Sequence, residues 1–343
     1  MNIKTGVALG MLGITALMAS GTARAADVEK PDLKLSVGGK ALLYYLPLTV
    51  VERLGYFKDA GLNVEISDFA GGSQSLQAQI GGSVDITTGS YEHTIQMQAQ
   101  GKPLVAVVDL GRYPGIALGI AKSKMGEYHT IKDLAGMKIG VTAPGSSTNF
   151  MVSYLMIKAG LKPEDASFIG VGGGASAVAA MRHGQLDAIS NTDPVMSELE
   201  SAGDVQIVAD SRTAEGSNSV YGGPSPAAVL YMKPEFVKAN PKTVQALVNA
   251  FVRGLRWIHG HSPDEIANLM PPEYQGGNKT LYTTAIKNSL EIYSPDGKFD
   301  PAASANTLKV LQVFDDKVKA ATIDLSKTYD ETFVDEAAKS VKQ

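Results

Sequence analysis

Residues 133–160 read DLAGMKIGVTAPGSSTNFMVSYLMIKAG, and this stretch limits the fold more than any other. Met137, Ile139 and Val141 alternate around Lys138 and Gly140, the period of a short buried strand over 137–142. Ala143, Pro144 and Gly145 make a turn. Ser146, Ser147 and Thr148 then stand where a helix begins, and Phe150, Val152, Leu155, Met156 and Ala159 give it an apolar stripe that Gly160 closes. A strand, a glycine turn and a helix in that order call for a sheet covered by helices. The hydroxyl-rich start also suits a polar ligand, because the first backbone N–H groups of a helix lack partners and its dipole is positive there. The same hydroxyls equally describe a well-capped helix that holds nothing.

Composition removes several classes. At 343 residues the chain has room for two lobes, and its formal charge of −4 is made of interspersed acids and bases. Nucleic acid calls for a basic stripe, so none is expected as a partner. There is no cysteine, which rules out disulfides, thiol catalysis and thiolate metal sites. The five histidines are His93, His129, His183, His259 and His261, with no HExxH spacing. His259 and His261 point apart on a helix, so neither a metal site nor a cofactor is expected.

The N-terminus reads as a secretion signal. Lys4 precedes an apolar run (Val7, Leu9, Met11, Leu12, Ile14, Leu17, Met18), and Ala23-Arg24-Ala25 fits a small-x-small cleavage site. The apolar core falls short of the ~20 residues needed to span a bilayer. Cleavage after Ala25 gives a soluble, exported chain, expected in a bacterial periplasm. No cysteine follows the site to carry a lipid.

In chain order, strands are expected at 33–37, 62–69, 84–87 and 104–110, with helices between them at 42–54, 72–80 and 91–100. This is a parallel α/β pattern. A second set follows at 116–121, 137–142, 166–171, 186–190 and 205–209, again read as parallel. Residues 213–226 read as a loop or crossing strand, and 227–232 return to the first lobe. From Pro234 the chain turns helical, notably over 241–259, where Val244, Leu247, Val248, Phe251, Leu255 and Ile258 recur at helical spacing. One later helix is expected to run unbroken over 301–318. The tail is expected to pack on the first lobe. Ligands of such sheets sit at the carboxyl ends of the strands.

Four segments resemble a known family, the periplasmic substrate-binding proteins of ABC importers in the nitrate/sulfonate/taurine and thiamine-precursor branch. They are PLTVVERLGYFKDAGLNVE (47–65), the Gly-Gly to Val-Asp segment within 71–90, TIKDLAGMKIGVTAPG (130–145) and MRHGQLDAISNTDP (181–194). The resemblance implies a type II periplasmic binding protein, with two α/β lobes, the second inserted into the first, and a ligand cleft between them. The expected division is 1–25 signal, 26–114 first lobe, 115–224 second lobe and 225–343 return to the first lobe. The family's frequent W-E-P is here Thr192-Asp193-Pro194, so an aromatic wall is missing.

The candidate ligand residues lie at the strand ends. Ser146, Ser147 and Thr148 would donate to a sulfonate or carboxylate, with Gly72 and Ser73 as a similar helix start in the first lobe. Arg112 would pair with an anionic headgroup or form a surface ion pair near the hinge. Tyr44, Tyr91 and Tyr113 would stack on an organic body or pack the core, with Leu43 and Ser90 beside them. Asn191 would orient a polar group. Glu92 and Asp193 would favour a cationic or amine-bearing ligand, or cap helices. The resemblance implies a non-catalytic monomer that captures a small organic anion and passes it to an ABC permease and ATPase complex at the inner membrane. A pyrimidine thiamine precursor is the alternative ligand. An enzyme resembling the pyrimidine synthases, or a ligand-sensing partner of a membrane receptor, is the alternative role.

Overall fold

The chain, seen in a computed structural model, is described over residues 28–341, so the expected signal segment and cleavage site lie outside the described residues. The strands are β1 (Asp32–Gly38), β2 (Asn63–Phe69), β3 (Ile86–Ser90), β4 (Val105–Asp109), β5 (Ile116–Ala121), β6 (Lys138–Val141), β7 (Ser167–Gly170), β8 (Ala188–Thr192), β9 (Val205–Asp210) and β10 (Ala228–Met232). They form two five-stranded sheets, in the orders β2-β1-β3-β10-β4 and β7-β6-β8-β5-β9. The second sheet is inserted in the chain between β4 and β10, which gives two α/β lobes.

Both sheets are mixed, which corrects the expectation of parallel ones. In the first, β1 runs parallel to β2 and β3, but β10 is antiparallel to β3 and β4. In the second, β6 is parallel to β7 and β8, but β5 is antiparallel to β8 and β9. The reason is the crossing. A parallel neighbour needs a crossover that returns the chain to the same end of the sheet. β5 instead comes directly from the first lobe and enters its sheet at the end where β6 and β8 finish. β10 does the same on the way back.

The helix Pro241–Gly260 buries Val244, Leu247, Val248, Phe251, Leu255 and Ile258, the stripe read from its spacing. Residues 213–226 hold a helix rather than a loop. Thr213 caps it by accepting from the Gly216 amide at 3.0 Å, and a Cβ at Gly216 would lie 2.3 Å from the Asp210 carbonyl oxygen. Gly216 allows the close approach to Asp210, and buried Ser217 donates to the Gly223 carbonyl at 2.9 Å.

The C-terminal helices depart furthest from expectation. The expected run over 301–318 breaks at Asp315, whose carboxylate accepts from the amides of Lys317 and Val318 and starts a new helix. The helix Pro301–Phe314 packs on both lobes. Val310 is part of the second lobe's core, and the Phe314 ring lies 5.5 Å from that of Phe150. Phe314 also packs against the first-lobe cluster of Tyr91, Tyr231 and Leu311. The tail therefore ties the lobes together. No helix among the described residues is long and apolar enough to cross a membrane. Truncating Phe314 to Ala should cost about 2–3 kcal/mol, somewhat below the range for a fully buried phenylalanine. Urea unfolding of the variant checks this, and an unchanged midpoint would contradict the bridging role.

Candidate functional site

The two lobes touch where their strands end. Gly71 follows β2 with extended backbone, φ −161°, which any residue adopts. A methyl group there would lie 2.7 Å from the Cβ of Ala143 in the opposite lobe, so the glycine serves contact between the lobes. Beside it the Ser73 amide donates to Ser146 Oγ at 3.0 Å, and Ser73 Oγ donates to the Pro144 carbonyl at 2.9 Å. The Leu43 amide donates to the Asp193 carbonyl at 2.8 Å. Ser146 occupies the cap position of the helix Ser147–Lys158 but makes no side-chain cap; its hydroxyl turns to the first lobe instead. Thr148 Oγ1 is held by the Thr142 amide at 3.1 Å.

Between these contacts remains a cavity of about 20 Å³. That is room for roughly one water. Tyr44, Tyr45, Thr142, Ser146, Ser147 and Thr148 line it, together with backbone at Gly38 and Gly72. A wider groove of about 400 Å³ lies at the edge of the same lobe junction, between the helices Ala175–Arg182 and Lys279–Ser289. It reaches Ala41 and Gly173, and the Leu42 side chain packed on Gly173 divides it from the inner cavity.

One buried acid stands behind the lining. Glu92 Oε2 accepts from Ser90 Oγ at 2.6 Å, and the Ser147 hydroxyl of the second lobe pulls its pKa in the same downward direction. Burial pushes Glu92 up to about 7, against the pull of those two hydroxyls, and among the described residues no cation pairs with it. Burial also raises the Tyr44 phenol well above its ordinary value, with Tyr45 and Glu92 adding to it and the Ser90 and Ser147 hydroxyls opposing. His93 Nδ1 faces the Tyr231 hydroxyl at 3.3 Å, while its Nε2 is buried without a hydrogen-bond partner. Burial brings His93 down to about 4, opposed by the Gly145 backbone.

Of the residues proposed from sequence, the fold brings together Tyr44, Gly72, Ser73, Ser90, Ser146, Ser147 and Thr148. The others stand apart. Tyr91 is fully buried in the first-lobe core, its hydroxyl 2.6 Å from Thr328 Oγ1 and its ring against Phe299 and Tyr329. Arg112 and Tyr113 lie on each other at the crossing to the second lobe, 5.3 Å from guanidinium to ring, with Arg112 Nε donating to the Glu291 carbonyl. Leu43 contributes backbone, its carbonyl accepting from Tyr293. Asn191 is spent on the Gly172 carbonyl and the Thr192 amide. Asp193 accepts from the Ser197 amide and faces Arg212, which also binds Asp210 and Glu200. Sequence reasoning missed Tyr45, Thr142 and His93. The adjacency of Tyr45 to Tyr44 was the one available signal.

The NMT1/THI5-like family profile matches residues 43–266. The chain belongs to that family. YtlA of Bacillus subtilis (strain 168), named as a binding protein, is 25% identical over 280 residues, 80% of each chain. A 4-amino-5-hydroxymethyl-2-methylpyrimidine phosphate synthase of Saccharomyces cerevisiae is 25% identical over 225 residues, and the match spans 63% of either chain. Among solved structures, a protein of Bordetella bronchiseptica RB50 superposes with a TM-score of 0.89 at 48% identity, covering 91% of this chain and 98% of that one. The nitrate-binding protein NrtA of Synechocystis PCC 6803 gives 0.72 at 16% identity, covering 92% and 90%. The alkanesulfonate-binding protein SsuA of Xanthomonas axonopodis pv. citri gives 0.68 at 16%, covering 89% and 99%. The fold is that of the periplasmic binding proteins.

The buried acid makes a prediction about stability. Between pH 4.5 and about 7 the folded chain holds a proton on Glu92 that the unfolded chain has released, so this group lowers stability as pH rises. His93 acts oppositely between about 4 and 6.5, because it is neutral in the folded chain. Comparing Glu92→Gln with the parent cancels His93. The variant should gain on the order of 3 kcal/mol relative to the parent between pH 4.5 and 7.5. Unfolding free energies across that range check this; a constant difference would contradict the burial of an unpaired carboxyl.

Proposed function

We propose that this chain is an exported solute-binding protein that captures a small organic molecule between its lobes and delivers it unchanged to an ABC import permease. The observation that carries this reading is the direct seam of the two lobes at Gly71, Ser73, Ala143 and Ser146, across strand ends lined with hydroxyls and phenols. A seam of that kind opens and closes by hinge motion at the two crossings. The permease and ATPase complex would recognise the lobes-together form, with the chain acting as a monomer. The N-terminal segment supports export to a periplasm. An enzymatic role has less behind it. The chain has no cysteine, and His93 is turned to a tyrosine hydroxyl.

Of the ligand readings, a nitrogen heterocycle such as a pyrimidine has the better support. Among the described residues no Lys or Arg lines the inner cavity, and Arg182 in the wider groove is paired with Glu198 and Asp204, so the sulfonate or carboxylate reading lacks a free counter-charge there. Arg112 stands at the crossing instead. Tyr44 and Tyr45 supply flat walls, and the family includes enzymes named for a pyrimidine product.

The exported chain, purified without denaturation, should carry one small molecule per copy in native mass spectrometry. Released and added back at 100 times its Kd, that molecule should stabilise the fold by about 2.7 kcal/mol. It should be recovered with its mass unchanged after prolonged incubation. Conversion to a product of different mass would contradict the binding role and favour the enzyme.

A further inference from the structure

Glu92 sits at the seam between the lobes with one committed partner from its own lobe. Ser90 Oγ takes one carboxyl oxygen at 2.6 Å. The other hydroxyl acting on the carboxyl, that of Ser147, belongs to the opposite lobe. Parting the lobes therefore removes Ser147 and leaves a carboxyl with unused acceptor sites at the back of the cleft. A carboxylate offers about four lone-pair sites, and one hydroxyl fills one of them. Nothing cationic compensates it among the described residues. Arg212, a largely buried base, is shared among Asp193, Asp210 and Glu200.

A buried acid without a counter-charge is costly unless something brings one. Once ionised it is also hostile to any anion placed against it. Ser90 and Glu92 are two residues apart at the end of β3 and meet each other, whereas Tyr91 between them turns into the core. The chain turns the acid toward the seam and a hydrophobic ring away from it. Tyr44 lines the same cavity as Ser147, feels the charge of Glu92, and offers a face for a flat or cationic group.

We infer that Glu92 is the specificity-determining residue of the cleft, taking over a positively charged or amidine-type nitrogen of the ligand where Ser147 now stands, and excluding anions. This rests on the solute-binding reading and narrows it. The ligand carries paired N–H donors or a cationic nitrogen, and the helix start at Ser146–Thr148 meets its uncharged polar end.

Calorimetry on the full exported chain tests the inference with defined probes: benzamidine and 4-aminopyrimidine as bases, ethanesulfonate and benzoate as anions. The expected result is binding of at least one base, weakened about tenfold or more in Glu92→Gln, with both anions silent. Should the glutamine variant fail to fold, Glu92→Asp keeps the charge at a shorter reach and should weaken base binding while still excluding anions. Binding of an anion alone, or base binding unchanged in Glu92→Gln, overturns the role given to Glu92. Native mass spectrometry of the purified chain separates this from the parent reading. A bound acid with no base binding overturns the inference and leaves solute binding standing. Silence to all four probes in a chain that also carries no small molecule overturns both.

Discussion

The architecture turns on a contact that only small side chains permit. Gly71 at the end of one lobe meets Ala143 at the end of the other, close enough that a methyl on the glycine would collide. The serine pair beside them converts that proximity into hydrogen bonds. Everything else at the cleft follows from how near the lobes come. The cavity is small, the Ser146 hydroxyl leaves its own helix, and Ser147 of the other lobe comes to act on Glu92. Interlobe hydrogen bonds of this kind contribute about 1 kcal/mol each, which suits the opening and closing that the proposed function requires.

Charge gives the cleft its character. The helix start of the second lobe is an attractive place for an anion in isolation, by dipole and by free N–H groups. In the assembled cleft it faces a buried carboxyl with no cation nearby. When that acid is ionised its full charge opposes the partial charge of the helix end, so under the proposed reading the cleft does not share the motif's local preference for an anion. Arg212 is shared among three acids, Arg182 is paired with Glu198 and Asp204, and Arg112 lies on the Tyr113 ring at the crossing and donates to a carbonyl.

Much of this was legible in the amino-acid sequence, and the rest has physical reasons for being hidden. The unit around Ser146 reads directly, because its strand period, glycine turn and helical stripe are all local. The convergence of Tyr44, Gly72 and Ser146 also follows, since all lie at strand ends of an α/β pattern. Strand direction does not follow. β5 and β10 carry the same apolar pattern whether they run parallel or antiparallel, and only the crossing decides. Tyr91 was misdirected because neighbouring residues at a strand end face opposite ways, and the sequence does not say which faces the cleft. Nor does the tail's contact with both lobes follow, because Val310 and Phe314 make one apolar stripe whichever lobe covers them.

The most direct test of the account is the distance between the lobes. Because the chain has no cysteine, two can be introduced for spin labels at exposed helix positions, Gln77→Cys in the first lobe and Ala179→Cys in the second. Pulsed dipolar spectroscopy should give a short, narrow distance population in this background. The same pair with Gly71→Ala should shift toward longer, broader distances while the melting curve stays close to that of the parent. A distribution unchanged by Gly71→Ala would mean that the glycine seam does not hold the lobes together, and the account built on it would fail.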